Sequence, residues 1–137
     1  MFTIVTKIQF CYGHRLMDYE GPCAHPHGHN AVAEIEMSNS SLDEVGMVMD
    51  FGNVVEVLSA FIDKDLDHQM LLRGDDPLVE ALEGAGEPPF LMDDNPTAEN
   101  IAKLIFEEAA KLDLPVVAVR LWETPDAYAE YRADADD

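Results

Sequence analysis

The sequence predicts an α+β fold in which helices cover one face of an antiparallel sheet. Three observations carry this. Two N-terminal segments alternate apolar and polar residues, the middle of the chain changes to three- and four-residue spacing, and alternation returns after residue 115. Strands grouped on either side of a run of helices give an α+β layering, not a parallel βαβ one.

Residues 2–12 set Phe2, Ile4, Ile8 and Phe10 against Thr3, Lys7 and Gln9, the pattern of a half-buried strand. Gly13 to Pro26 carries Gly, Pro and Asp and reads as a loop. Ala31, Ala33, Ile35 and Met37 alternate with Glu34 and Glu36 in a second strand over 29–37, and Ser38 to Ser41 form a turn. Gly46 to Asp50 is a short apolar strand candidate. The stripe Phe51, Val54, Val55, Leu58, Phe61, Ile62 and Leu66 is that of an amphipathic helix. Residues 73–96 are acidic and rich in Pro and Gly, a surface excursion with a short helix at Pro77 to Leu82. Thr97, after Pro96, is a good N-cap for a helix whose stripe is Ile101, Leu104, Ile105 and Leu112. Val116 to Glu123 is a strand, with Val117, Val119, Leu121 and Glu123 on one face, and a last strand lies near Tyr128 to Tyr131. The acidic tail from Ala133 to Asp137 is expected to fray.

A length of 137 residues fits a single domain, 1–137, large enough to bury a core without disulfides. No apolar run approaches the ~18 residues of a membrane span. The N-terminus alternates and lacks the continuous apolar core of an export signal, so the cytoplasm is the expected compartment. Two cysteines, Cys11 and Cys23, suit a reducing compartment. The formal net charge of −20 argues against nucleic acid as a partner and fits solubility in a salty cytoplasm. An anionic substrate would have to be met locally, with Lys7, Arg15, Lys64 and Arg120 as the available cations.

The chemistry-bearing residues cluster early. In an extended segment His27 and His29 point to one face and present two imidazoles to one ion. His14, ending the first strand, is a third donor, and three histidines with an open position are a catalytic zinc set. Gly28 between them permits close approach. The plain alternative is a polar loop of surface histidines. His25 shares the spacing but precedes Pro26, and it reads as a bystander. Cys23 is a fourth ligand, a reactive thiol activated by the metal, or an inert thiol. Cys11 reads as a small core residue. Asp67 and His68 form an acid/base pair or a helix-end histidine near the dipole. Glu123, on an apolar strand face, holds an N–H-rich ligand or reaches solvent.

Together, Phe10, Gly13-His14-Arg15, Cys23-x3-His27-Gly28-His29, Asp50-Phe51, Leu66-Asp67-His68, Asn95-Pro96-Thr97 and Glu123-Thr124 resemble the 6-pyruvoyl-tetrahydropterin synthase and 6-carboxy-tetrahydropterin synthase family, in the family's order and over nearly the whole chain. The resemblance implies a tunnelling fold (T-fold), an antiparallel four-stranded sheet with two helices on one face. It also implies homo-oligomers, hexamers built as dimers of trimers, with sites between subunits. It assigns Zn2+ to His14, His27 and His29, catalysis to Cys23, Asp67 and His68, and the pterin's amino-pyrimidine edge to Glu123. The implied substrate is 7,8-dihydroneopterin triphosphate. The short gap before His-Gly-His resembles the 6-carboxy branch, which serves 7-deazaguanine (queuosine-type) biosynthesis and releases triphosphate and acetaldehyde. Alternatives are a 6-pyruvoyl product or another side-chain cleavage, a cupin-like metal enzyme using His27, His29 and Glu34, and a non-catalytic metal-binding module.

Overall fold

The computed structural model describes residues 1–134. The part of the tail expected to fray that begins at residue 135 lies outside the described residues. Two long strands, β1 (Phe2–His14) and β2 (His27–Asn39), form an antiparallel pair in unbroken register. Then come α1 (Phe51–Phe61) with a π-helical turn at Ile62–Leu66, β3 (Gln69–Arg73), α2 (Leu78–Gly84), β4 (Phe90–Met92), α3 (Ala98–Lys111), β5 (Val116–Thr124) and β6 (Ala127–Arg132). The sheet order is β4-β3-β1-β2-β5-β6.

The expected four-stranded antiparallel sheet is therefore incomplete. β1, β2, β5 and β6 do form that antiparallel set, but β3 and β4 extend the sheet beyond β1 as parallel strands, giving six strands in a mixed sheet. Among the described residues there are three α-helices, not two. Both added strands are short and lack a period-two signature. In β3 the consecutive Leu71 and Leu72 are both fully buried, so neither face is polar. The segment Gly46–Asp50, expected as a strand, is a series of bends after a turn at Glu44 and Val45. Asp43 draws it back by accepting from the backbone N–H groups of Val45 and Met47, and Val45 is left exposed. The two helix and strand types also exclude the all-β cupin alternative.

Both main helices start where side-chain caps dictate. The Asp50 carboxylate accepts from the Gly52 N–H at 2.7 Å, and the Thr97 hydroxyl from the Asn100 N–H at 3.1 Å. Val54, Leu58, Ile62 and Leu66 bury the face of α1 and its π turn, whereas Phe51, expected in that stripe, is exposed. Ile101, Ala102, Ile105 and Ala109 do the same for α3. They meet the even residues of β1 (Ile8, Phe10, Tyr12), the odd residues of β2 (Ala31, Ala33, Ile35, Met37), and Val119 and Leu121 of β5 in one core. Alternation thus continues along one buried face until it meets His14, His29 and Glu123. The opposite face is polar and knitted by arginines: Arg120 donates to Glu34, Glu36 and Glu130, and Arg132 to Glu36 and Glu130.

Among the described residues no helix is long and apolar enough to cross a membrane.

Candidate metal centre and acid/base pair

The register of β1 with β2 builds the histidine cluster. His14 lies opposite His27, and Tyr12 opposite His29. Gly13 pairs with Gly28, where a Cβ would stand 3.0 Å from the Tyr12 carbonyl oxygen. Only glycine lets the two strands sit this close between the ligand pairs. The three imidazoles pack with ring centroids 4.5 Å apart (His14–His27) and 5.1 Å apart (His14–His29 and His27–His29). Their ligand nitrogens lie within 4.8 Å of one another.

Backbone carbonyls orient two of these rings. Nδ1 of His14 is 2.6 Å from the Pro96 carbonyl oxygen, and Nδ1 of His27 is 2.7 Å from that of His25. With a proton on each Nδ1, each Nε2 keeps its lone pair for an ion. Thus His25 contributes through its backbone, in keeping with a side chain that stands aside. Burial, partly opposed by the Pro96 hydrogen bond, holds His14 below the usual histidine range, so the ring is neutral at pH 7. Nε2 of His14 and Nε2 of His29 are buried without a hydrogen-bond partner. Buried acceptors without a partner are costly, and a cation would satisfy both at once.

Glu123 joins this side of the sheet, at an irregularity in the β5–β6 pairing between Trp122 and Thr124. One carboxylate oxygen accepts from the Tyr12 hydroxyl at 3.3 Å, and the other lies 3.7 Å from Nε2 of His29. Glu123 has therefore met a donor, as its place on an apolar face required.

Asp67 and His68 are bonded to each other: Nδ1 of His68 is 2.8 Å from the Asp67 carboxylate. Strand β1 grips both residues at Cys11. The Cys11 N–H donates to Asp67 at 3.0 Å, and its carbonyl accepts from the His68 N–H at 2.7 Å. The Cys11 N–H, ahead of the His68 contact, holds the Asp67 carboxyl below the usual carboxylate range. His68 has φ near +60°, a conformation that a non-glycine residue adopts only when its surroundings impose it. An open cleft of about 640 Å³ runs from His68 to the histidine cluster, with Cys11, His27, His29, His68 and Met70 in its wall.

Cys23 stands apart. It lies in a short helical turn, Pro22–Ala24, its carbonyl held by the Leu16 N–H, and its sulfur is not grouped with Asp67 and His68. The thiol that does lie within 4.8 Å of them is Cys11, expected in the core. Strand alternation carried the signal: Cys11 is an odd residue of β1, on the side of Lys7 and Gln9. Tyr12 was also not singled out, although the same alternation places it between Phe10 and His14.

The available cations are mostly engaged. Arg15 pairs with Asp76 through both carboxylate oxygens, and Lys7 and Arg120 face carboxylates. Among the described residues Lys64 alone, just before Asp67, makes no ion pair. Asp76 is 3% exposed, is held below the usual carboxylate range chiefly by Arg15, and accepts from the Leu78 N–H at 2.8 Å to start α2. Asp76→Ala is expected to lower stability by about 1–2 kcal/mol, because Arg15 retains partial access to water while the cap is lost. The depressed carboxyl stabilises the fold above the ordinary aspartate range and less as pH falls through its folded value. Urea midpoints of parent and variant should therefore differ at neutral pH, and the difference should shrink as pH falls below the ordinary aspartate range.

Comparison with known proteins places this geometry. The family model for 6-pyruvoyl tetrahydropterin synthase matches residues 3–134. The 6-carboxy-5,6,7,8-tetrahydropterin synthase of Rickettsia conorii is 33% identical over 137 residues, covering 95% of this chain and 99% of its own. The protein of the same name from Aquifex aeolicus is 34% identical, covering 82% and 76% respectively. The Caenorhabditis elegans 6-pyruvoyl tetrahydropterin synthase structure superposes with a TM-score of 0.73 at 22% identity, over 97% of this chain and 96% of that one, a likeness of fold.

Proposed function

This chain belongs to the 6-pyruvoyl tetrahydropterin synthase family, and on that premise we propose that it converts 7,8-dihydroneopterin triphosphate to 6-carboxy-5,6,7,8-tetrahydropterin, releasing triphosphate and acetaldehyde. The observation that carries the reading is the convergence of three imidazoles, two with buried, unpartnered Nε2 atoms, beside Glu123 and an Asp67–His68 pair. Relatives named 6-carboxy-5,6,7,8-tetrahydropterin synthase support the choice of product over a pyruvoyl one. In this reading the chain, one domain over 1–137, works in the cytoplasm in 7-deazaguanine (queuosine-type) biosynthesis.

The donor set fits zinc: three neutral histidine nitrogens and room for one more ligand. His14, His27 and His29 would hold the ion, which when bound supplies Lewis acidity toward the substrate's side-chain hydroxyls. Glu123 accepts hydrogen bonds from the amino-pyrimidine N–H groups. Cys23, as thiolate, takes a proton from the side chain. His68 gives or relays a proton at Nε2, since its Nδ1 is committed to Asp67. Lys64 is the residue free to meet the triphosphate. Because Cys23 does not share a cluster with His68 in one chain, the working site draws Cys23 from a neighbouring copy, in a hexamer of two trimers.

The test is incubation of zinc-loaded protein with 7,8-dihydroneopterin triphosphate, with pterins and acetaldehyde followed by mass spectrometry. Acetaldehyde with a 6-carboxy product is expected. A pyruvoyl product would move the reaction within the family, and no turnover with zinc bound would sink the assigned substrate.

A further inference from the structure

The Tyr12 ring is 3% exposed and wedged between neighbours. It stacks on Phe10 with centroids 5.6 Å apart and meets His14 edge-on at 5.1 Å. A phenol this deep needs a partner for its hydroxyl, and it reaches across β2 to donate to Glu123 at 3.3 Å.

Glu123 has few constraints otherwise. It is partly exposed, sits at the irregular end of β5, and its other oxygen is 3.7 Å from Nε2 of His29, beyond hydrogen-bond range. Without a fixed donor a glutamate so placed can rotate into solvent or toward the histidine cluster. We propose that Tyr12 is a positioning residue: its rigid, buried hydroxyl fixes the Glu123 carboxylate for substrate N–H groups. The proposal rests on the reading of Glu123 as the carboxylate that grips the substrate.

Tyr12→Phe removes the hydroxyl and keeps the packing, so folding and zinc content should be unchanged. Its expected signature is a rise of about five- to tenfold in KM for 7,8-dihydroneopterin triphosphate, and in the dissociation constant of neopterin measured by fluorescence, with kcat within about twofold. Glu123→Gln should weaken binding at least as much. In the Glu123→Gln background, Tyr12→Phe should add less than about twofold, because the two side chains act through one contact. Tight binding by Tyr12→Phe, or a loss repeated undiminished in the Glu123→Gln background, would overturn the positioning role while leaving Glu123 as the substrate carboxylate. Normal binding by Glu123→Gln would remove the Glu123 reading and this proposal with it.

Discussion

His27→Ala is expected to lower zinc affinity by about three orders of magnitude and to abolish turnover, because two imidazoles cannot close a site built for three. The side chain is well suited to the test. Its ring is oriented by the His25 carbonyl, just ahead of β2, and it is only partly buried, so truncation leaves the core intact. His14→Ala is less clean, since His14 is 3% exposed and also braces the chain ahead of α3 through the Pro96 carbonyl. Zinc bound to the folded state alone adds stability by mass action. The parent's Tm should therefore rise with added zinc, while that of His27→Ala should not. His25→Ala is the matched control: it keeps the backbone carbonyl that orients His27 and should retain zinc. Metal analysis after gel filtration and thermal melts with and without chelator decide the matter. Full zinc retention by His27→Ala would break the assigned ligand set. Protons compete with zinc for imidazole nitrogens, so affinity in the parent should also fall as the solution is made acidic.

Why the convergence of the three histidines is legible in the sequence and other parts are not follows from the reach of each signal. His27-Gly28-His29 lies on one strand, so period two alone puts both rings on one face. The partner strand brings His14 opposite His27 through a pairing whose register is fixed by thirteen consecutive partners. The caps at Asp50 and Thr97 are equally local. By contrast, β3 and β4 have five and three residues and pair in parallel with strands remote in sequence, so nothing local announces them. The Asp67–His68 bond depends on the left-handed backbone at His68 and on Cys11, 56 residues from Asp67. The Tyr12–Glu123 contact spans 111 residues. The acidity was plain in composition, but its local arrangement was not: Arg120 is shared among Glu34, Glu36 and Glu130, which removes it as an anion-binding residue.

The separation of Cys23 from His68 in one chain leads to a second large effect. Cys23→Ala and His68→Ala should each reduce turnover by about a thousandfold or more, with zinc still bound, since neither residue belongs to the histidine cluster. If the proton-transfer set is completed by a neighbouring copy, the two inactive variants carry complementary halves. Mixing them under conditions that dissociate and reassemble the oligomer places an intact Cys23 and an intact His68 together at roughly a quarter of the sites in a symmetric ring. Activity near a quarter of the parent's, appearing only after subunit exchange, is the expected result. Cys11 makes the control necessary, because it is the thiol that already lies beside Asp67 and His68. If Cys11 served as the reactive thiol, Cys11→Ser would abolish turnover, Cys23→Ala would retain it, and mixing Cys11→Ser with His68→Ala would restore nothing, because both lesions would fall in the same cluster. Retained activity in Cys11→Ser, together with recovery in the mixed Cys23→Ala and His68→Ala oligomer, would place the catalytic thiol on the Pro22–Ala24 turn of one subunit and its acid/base partner on the next.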